Sequence, residues 1–296
     1  MFDGTGKQLK YGSTNRALAL KPGQFDVKVN KSSHSVTIQS KMLTKCSTGM
    51  LLVSGTTDEY YYVFDAAKTQ MAYHKLGKPL AFFAGNYTVN VNKTSASANL
   101  SPSATTDVKT GVLMVQGTTD EYYYVFDGVG TQLAYNKLSK PLSLLPGSVT
   151  VKVNGTSAPV SVAPAGLAEV KTGALLVQGT TDEYYYVFDA IGNQLAYNKL
   201  SHPLSFVGGT YSVKVTGAPM PATVEAGRTN EYQTGSLTVK KSGDEYYYVL
   251  DTNGTQLGYN KVNQPLSFPA GKYSVKVGTD VRPATVTAGQ ATITNW

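Results

Sequence analysis

The sequence predicts an all-β chain, a tandem array of small antiparallel β-sandwiches. Three observations predict it. The 296 residues repeat with a period of 62: Asp-Glu-Tyr-Tyr-Tyr-Val starts at Asp58, Asp120, Asp182 and Asp244, and a turn glycine recurs at Gly23, Gly85, Gly147, Gly209 and Gly271. Within each period apolar residues alternate two by two, the spacing of a strand with one inward face. Gly, Pro and Asn turn signals separate short runs, and no stretch carries a helical period.

The residues 109–170 show each element in order. Leu113 and Val115 keep their identity in every complete repeat, while Val112 becomes Met50, Ala174 or Ser236; this marks a strand with one inward and one tolerant face. Glu121 to Asp127 is a second strand, rich in aromatic and β-branched residues. Asp127-Gly128-Val129-Gly130 is a tight turn in which Gly130 supplies a positive φ. Its counterparts are Asp3 to Gly6, Asp189 to Gly192 and Asp251 to Gly254; Lys68 replaces the last glycine in one copy and should strain it slightly. Gln132 to Lys137 returns as a third strand. Pro141 to Leu144, the Pro146-Gly147 turn, alternating Val149, Val151 and Val153, the Asn154-Gly155 turn, Val160 and Val162, and the Ala165-Gly166 turn complete six or seven strands.

The predicted organisation is a partial repeat at 1–46, then complete repeats at 47–108, 109–170, 171–232 and 233–296. Joints such as Val170 to Leu175 leave almost no linker, so the last strand of one repeat should run into the first of the next and bend at the glycine. A core of 62 residues is small, and neighbouring repeats should stabilise each other. A stiff rod is expected, at roughly 20–30 Å per repeat from strand length. Met1 to Gly4 aligns with Val125 to Gly128, so the chain begins in mid-repeat. The expectation is that translation starts further upstream, with an export signal there. The alternative is a gap filled by strands from another chain, for which the C-terminus offers no obvious spare donor.

Composition narrows the function classes. Charged residues are 15%, hydrophobic residues 41%, and net charge is +7. No run approaches the ~18 apolar residues of a membrane span, and apolar and aromatic residues are too plentiful for disorder. The one cysteine, Cys46, is read as an isolated thiol and excludes a disulfide framework or a Cys-based metal site. Lys and Arg are spread rather than clustered, against nucleic-acid binding. His34, His74 and His202 do not recur in register, and no nucleophile elbow, phosphate loop or dinucleotide fingerprint is present. The expectation is no enzyme, no catalytic residue, no metal and no cofactor.

The tyrosines are the concentrated feature: 17 of 21 lie in the four Tyr-Tyr-Tyr triplets or at Tyr11, Tyr73, Tyr135, Tyr197 and Tyr259. Three consecutive strand residues cannot share a face. Either they form core and cross-strand packing, or some make an exposed aromatic stripe that stacks on sugar rings or a partner. The candidate binding residues are Tyr60, Tyr62, Tyr73, Tyr122, Tyr124, Tyr135, Tyr184, Tyr186, Tyr197, Tyr246, Tyr248 and Tyr259. The pairs Asp58/Glu59, Asp120/Glu121, Asp182/Glu183 and Asp244/Glu245 alternate faces and are read as solvated acids facing Lys75, Lys137, Lys199 and Lys261, in preference to calcium ligands.

Asp189 to Gly192, Gly209 to Val215 and Val224 to Gly227, with their counterparts, form a recurring set. It resembles the PEGA-like and prealbumin-like (carboxypeptidase-regulatory-like) modules of bacterial surface and periplasmic proteins, small Ig-like sandwiches. That resemblance implies structural, adhesive or envelope roles and supplies no catalytic residue. Tyr122 to Gly130 also resembles the aromatic hairpins of choline- and glucan-binding repeats, which have a much shorter period; this hints at sugar stacking. The reading is a secreted or cell-surface structural or adhesive repeat protein. The alternatives are a glycan-binding array and a filament subunit completed by strand exchange, with glycans or other copies of itself as partners.

Overall fold

A computed structural model describes residues 1–296. The chain is all-β, and no helix is long and apolar enough to cross a membrane. It divides into two compact units: Met1–Leu113 with Pro141–Val149 and Ser161–Ala168, and Met114–Lys140 with Thr150–Val160 and Glu169–Trp296.

In the first unit, β1 (Gly23–Val29) and β2 (Ser32–Ile38) form a two-stranded ribbon. The second repeat follows as β3 (Gly49–Ser54), β4 (Tyr60–Phe64), β5 (Gln70–Lys75), β6 (Leu80–Phe82), β7 (Gly85–Val91), β8 (Thr94–Leu100) and β9 (Thr105–Lys109). They build two sheets, β5-β4-β7-β8 and β6-β3-β9. The core between them holds Leu51, Val53, Tyr61, Val63, Phe82, Val89 and Leu100, the inward half of each alternating strand. The unit also holds the pairing of β10 (Gly111–Gln116) with β13 (Leu142–Leu144) through Leu113↔Leu142.

The same order recurs. The third repeat adds β11 (Tyr122–Phe126), β12 (Gln132–Lys137), β14 (Gly147–Val153) and β15 (Thr156–Val162), with β11 between β12 and β14. In the second unit come β16 (Leu167–Gln178), β17 (Tyr184–Phe188), β18 (Gln194–Lys199), β19 (Leu204–Val207), β20 (Gly209–Val215) and β21 (Ala218–Val224). The last repeat is β22 (Thr229–Lys240), β23 (Tyr246–Leu250), β24 (Gln256–Lys261), β25 (Pro265–Pro269), β26 (Gly271–Val277), β27 (Asp280–Val286) and β28 (Ala291–Asn295). The sheets β18-β17-β20-β21 and β24-β23-β26-β27 repeat the four-stranded pattern.

Two expectations need correction. The sandwich is not purely antiparallel: β3 runs parallel to β9, β16 to β22, and β22 to β28. The first strand of a repeat therefore lies beside the strand that ends it. Nor does the joint glycine serve a bend. β16 and β22 pass unbroken through Gly173 and Gly235, and neither has a positive φ. A Cβ on Gly173 would stand 2.1 Å from the Glu225 carbonyl oxygen, and one on Gly235 2.2 Å from that of Thr287. Glycine is needed there because a backbone crosses where a side chain would start.

The tight turns form as their residues dictate. Gly130 has φ +86°, and the Asp127 carboxylate accepts from the backbone N–H of Val129 and Thr131. Lys68 takes φ +60° in the equivalent place, the strained non-glycine copy. In the partial repeat, Phe25, Val27 and Val29 are only half-buried, whereas their counterparts Tyr87, Val89 and Val91 are buried.

Candidate functional site

Alternation along β4 sends Tyr61 one way and Tyr60 and Tyr62 the other. Tyr61 is fully buried and its hydroxyl donates to the Lys78 carbonyl at 2.7 Å; burial pushes its phenol well above the ordinary tyrosine range. Tyr123, Tyr185 and Tyr247 are equally buried and bond to Lys140, His202 and Gln264. The middle tyrosine is thus core, and its two neighbours lie on the opposite, outer face.

Tyr60 and Tyr62 stay 43% and 40% exposed. β5 runs beside them and pairs Tyr73, 59% exposed, directly opposite Tyr62. The rings of Tyr62 and Tyr73 stack with centroids 5.9 Å apart at 27°, and Tyr60 tilts against Tyr73 at 6.0 Å. The same triad is formed by Tyr122, Tyr135 and Tyr124, by Tyr184, Tyr197 and Tyr186, and by Tyr246, Tyr259 and Tyr248, with cross-strand ring distances of 6.0, 5.8 and 5.9 Å, the last pair tilted at 33°. The structure brings all twelve candidate tyrosines into four triads on the outer faces of the four-stranded sheets. Tyr11 of the partial repeat is 87% exposed.

A charged rim borders each triad. Lys75 Nζ bonds Asp58 at 2.7 Å and lies 5.8 Å from the Tyr60 ring centre. Lys137, Lys199 and Lys261 repeat this with Asp120, Asp182 and Asp244. Hydrogen bonding and charge from Asp58 raise the Lys75 pKa above the ordinary lysine value. At the far end of the strand, Lys152 caps the Phe126 ring at 4.6 Å and Lys214 caps Phe188 at 4.7 Å.

The aspartates are solvated as expected, but Glu59, Glu121 and Glu183 are half-buried. Glu59 is half-buried and accepts from the Ser143 backbone N–H at 2.9 Å, from Asn92 Nδ2 at 3.1 Å and from the Thr57 hydroxyl. Asn92 Nδ2 also reaches the Ser143 carbonyl at 3.0 Å, and Thr57 reaches the Ser143 hydroxyl at 2.6 Å. The preceding repeat therefore grips the amide, carbonyl and hydroxyl of one fully buried serine. Glu121, Asn154 and Thr119 hold Ser205 in the same way. In the third joint Thr216 replaces the asparagine, and Glu183 Oε2 is buried without a partner. Desolvation raises the Glu183 pKa above the ordinary carboxylate value. Glu245 is exposed and pairs with Lys241 at 2.8 Å.

The serine was not singled out from sequence. A signal existed: serine recurs at the same place in three repeats, as Ser143, Ser205 and Ser267. The histidines lie apart: His34 packs on Phe83, His74 Nδ1 accepts from the Lys75 amide, and His202 Nδ1 meets the Leu200 carbonyl. Cys46 is exposed.

No protein-family model matches the sequence, and no curated protein matches it. Among solved structures, the chain is similar to the Bacillus anthracis TIE protein at 12% identity, covering 99% of this chain and 76% of that one, with a TM-score of 0.20. It is similar to BcpA, the major pilin subunit of Bacillus cereus, at 9% identity, covering 84% and 98%, with a TM-score of 0.17. The pilus adhesin SpaC of Lactobacillus rhamnosus GG aligns at 10% identity over 84% and 43%, with a TM-score of 0.20. Superpositions of this quality transfer no residue's role, so the triads and joints of this chain carry the functional reading.

Proposed function

We propose that this chain is a non-enzymatic structural and adhesive repeat protein that works outside the cell, secreted or at the cell surface. Its repeats are those at 47–108, 109–170, 171–232 and 233–296, after the partial one at 1–46. The observation that carries the reading is the split of the Tyr triplet. One tyrosine per repeat serves the core, while Tyr60, Tyr62 and Tyr73, and their three sets of counterparts, set contacting rings on the outer face, all exposed but the half-buried Tyr248. Exposed aromatic clusters of this kind mark contact surfaces. Tyr offers an apolar face and a polar tip, suited to sugar rings and to protein surfaces. Four copies on one chain multiply a weak contact through effective concentration, by about 10²–10⁴-fold.

The test is retention on insoluble glucan, chitin and peptidoglycan, and on hydrophobic beads, for the native chain and for one with Tyr→Ser at the twelve triad positions. The expected result is retention by the native chain and loss in a variant that still unfolds cooperatively, at a lower midpoint because its cross-strand ring pairs are gone. Equal retention of both would refute the reading.

A second reading, self-association by strand exchange, is favoured by the half-exposed core residues Phe25, Val27 and Val29 of the β1–β2 ribbon. Sedimentation over a range of concentrations tests it: growing polymers support it, and a concentration-independent monomer removes it.

A further inference from the structure

We propose that the Tyr triads are sites of oxidative tyrosine coupling, in which Tyr62 joins Tyr73, Tyr124 joins Tyr135, Tyr186 joins Tyr197, and Tyr248 joins Tyr259 within each repeat. The inference deepens the reading of these faces as working surfaces and rests on it. The first observation is geometric. Each pair faces across one antiparallel ladder, held in register by the backbone. Three pairs stack at 27–30° and Tyr248–Tyr259 tilts at 33°, with all centroids 5.8–6.0 Å apart. Rotation of partly exposed rings on the picosecond-to-nanosecond scale brings their edges together many times in the lifetime of a radical pair. The second observation is accessibility. Tyr62 and Tyr73 are open to an oxidant, whereas Tyr61 is fully buried with its hydroxyl bonded to the Lys78 carbonyl. The third is the choice of partner within the triad. Tyr60 meets Tyr73 at 52° and carries the Lys75 ammonium beside its ring, so it is the poorer partner.

The chemistry balances with an external oxidant, hydrogen peroxide consumed by a haem peroxidase. Each phenol gives up one electron and its hydroxyl proton, leaving two phenoxyl radicals, and peroxide with those two electrons and two protons becomes two waters. The radicals join through ring carbons ortho to oxygen. Each coupled carbon then loses its hydrogen as a proton, which returns to the phenoxyl oxygen. The product has one new carbon–carbon bond and two hydrogens fewer than the starting pair. The coupling would fix β4 to β5, and each equivalent hairpin, by a covalent rung.

Tyr11 supplies a control within the chain. It is 87% exposed and pairs with no second tyrosine ring, unlike Tyr73, Tyr135, Tyr197 and Tyr259.

The experiment treats the full chain at low concentration with a haem peroxidase and limiting hydrogen peroxide, followed by proteolysis and mass spectrometry. The expected products are monomers that have lost two hydrogens per coupled pair, with linked peptides joining Tyr62 to Tyr73 and their counterparts, and with Tyr11 and Tyr61 unlinked. Replacing Tyr73→Phe should abolish the link in that repeat alone. Coupling confined to intermolecular products, coupling at the buried tyrosines, or no coupling would overturn the proposal. Retention of the unoxidised native chain on the insoluble polymers is scored separately: retention without intramolecular coupling overturns this proposal and leaves the contact reading standing, and coupling without retention does the reverse.

Discussion

Replacing Glu121 by Ala strips the joint between two repeats of its central acceptor. Three donors lose it: the Ser205 backbone N–H at 2.6 Å, Asn154 Nδ2, and the Thr119 hydroxyl at 2.7 Å. Asn154 keeps the Ser205 carbonyl, and Thr119 keeps the Ser205 hydroxyl. Only the Ser205 amide is orphaned, and Ser205 is fully buried. A hydrogen bond to a charged group is worth about 1.5–3 kcal/mol net, and a stranded buried donor costs about 1–3 kcal/mol, two descriptions of overlapping loss. The expected destabilisation is therefore about 2–4 kcal/mol. Glu245→Ala is the matched control, because Glu245 only pairs with Lys241 in solvent; its cost should stay below about 0.5 kcal/mol. Urea unfolding of both full-length variants measures the difference, and hydrogen exchange at the Ser205 amide localises it. Equal costs for the two variants, or an unchanged Ser205 exchange rate in Glu121→Ala, would refute the joint mechanism.

Further outcomes follow from the same geometry. Thr216→Asn should stabilise the third joint by about 1 kcal/mol, since Asn tolerates the φ of +47° there better than a β-branched residue and can donate to Glu183; thermal unfolding reads this. Gly258→Ala should destabilise the native chain, because its Cβ would lie 2.4 Å from Thr216 Cγ2, and should be tolerated beside Thr216→Asn; a double-mutant cycle tests the coupling. Glu183 binds its proton more tightly folded than unfolded, so its contribution improves as pH falls through the raised folded pKa and is least favourable at neutral pH. Accordingly Glu183→Gln should flatten that part of the pH–stability profile, seen by urea titration at a series of pH values. Gly173→Ala should unfold the joint or cost more than about 3 kcal/mol, since a carbonyl oxygen occupies the place of the new Cβ.

The parts legible in sequence were those that depend on neighbours along the chain. Two-residue alternation separates Tyr61 from Tyr60 and Tyr62 whatever the sheet order. Aspartate followed by a glycine three residues on specifies the turn at Asp127 by local hydrogen bonding alone. The illegible parts depend on residues far apart. Glu59 finds its backbone donor in a serine 84 residues later, and nothing beside Glu59 announces it. The joint glycine reads as flexibility because glycine permits unusual φ; its use here is the missing Cβ, visible only once the crossing backbone is placed. Parallel pairing of β3 with β9 leaves no mark on composition, because both strands alternate as an antiparallel pair would.

That parallel pairing has a mechanical consequence. Tension on the chain pulls the start of β3 one way and the end of β9 the other, along two strands that point in the same direction. The load then falls across Met50 to Ser54 as shear, so the ladder bonds resist together rather than opening one at a time like a zip. Forced unfolding is governed by the height of that barrier rather than by equilibrium stability. Each repeat can therefore be modest in thermodynamic terms and still be a strong link under tension.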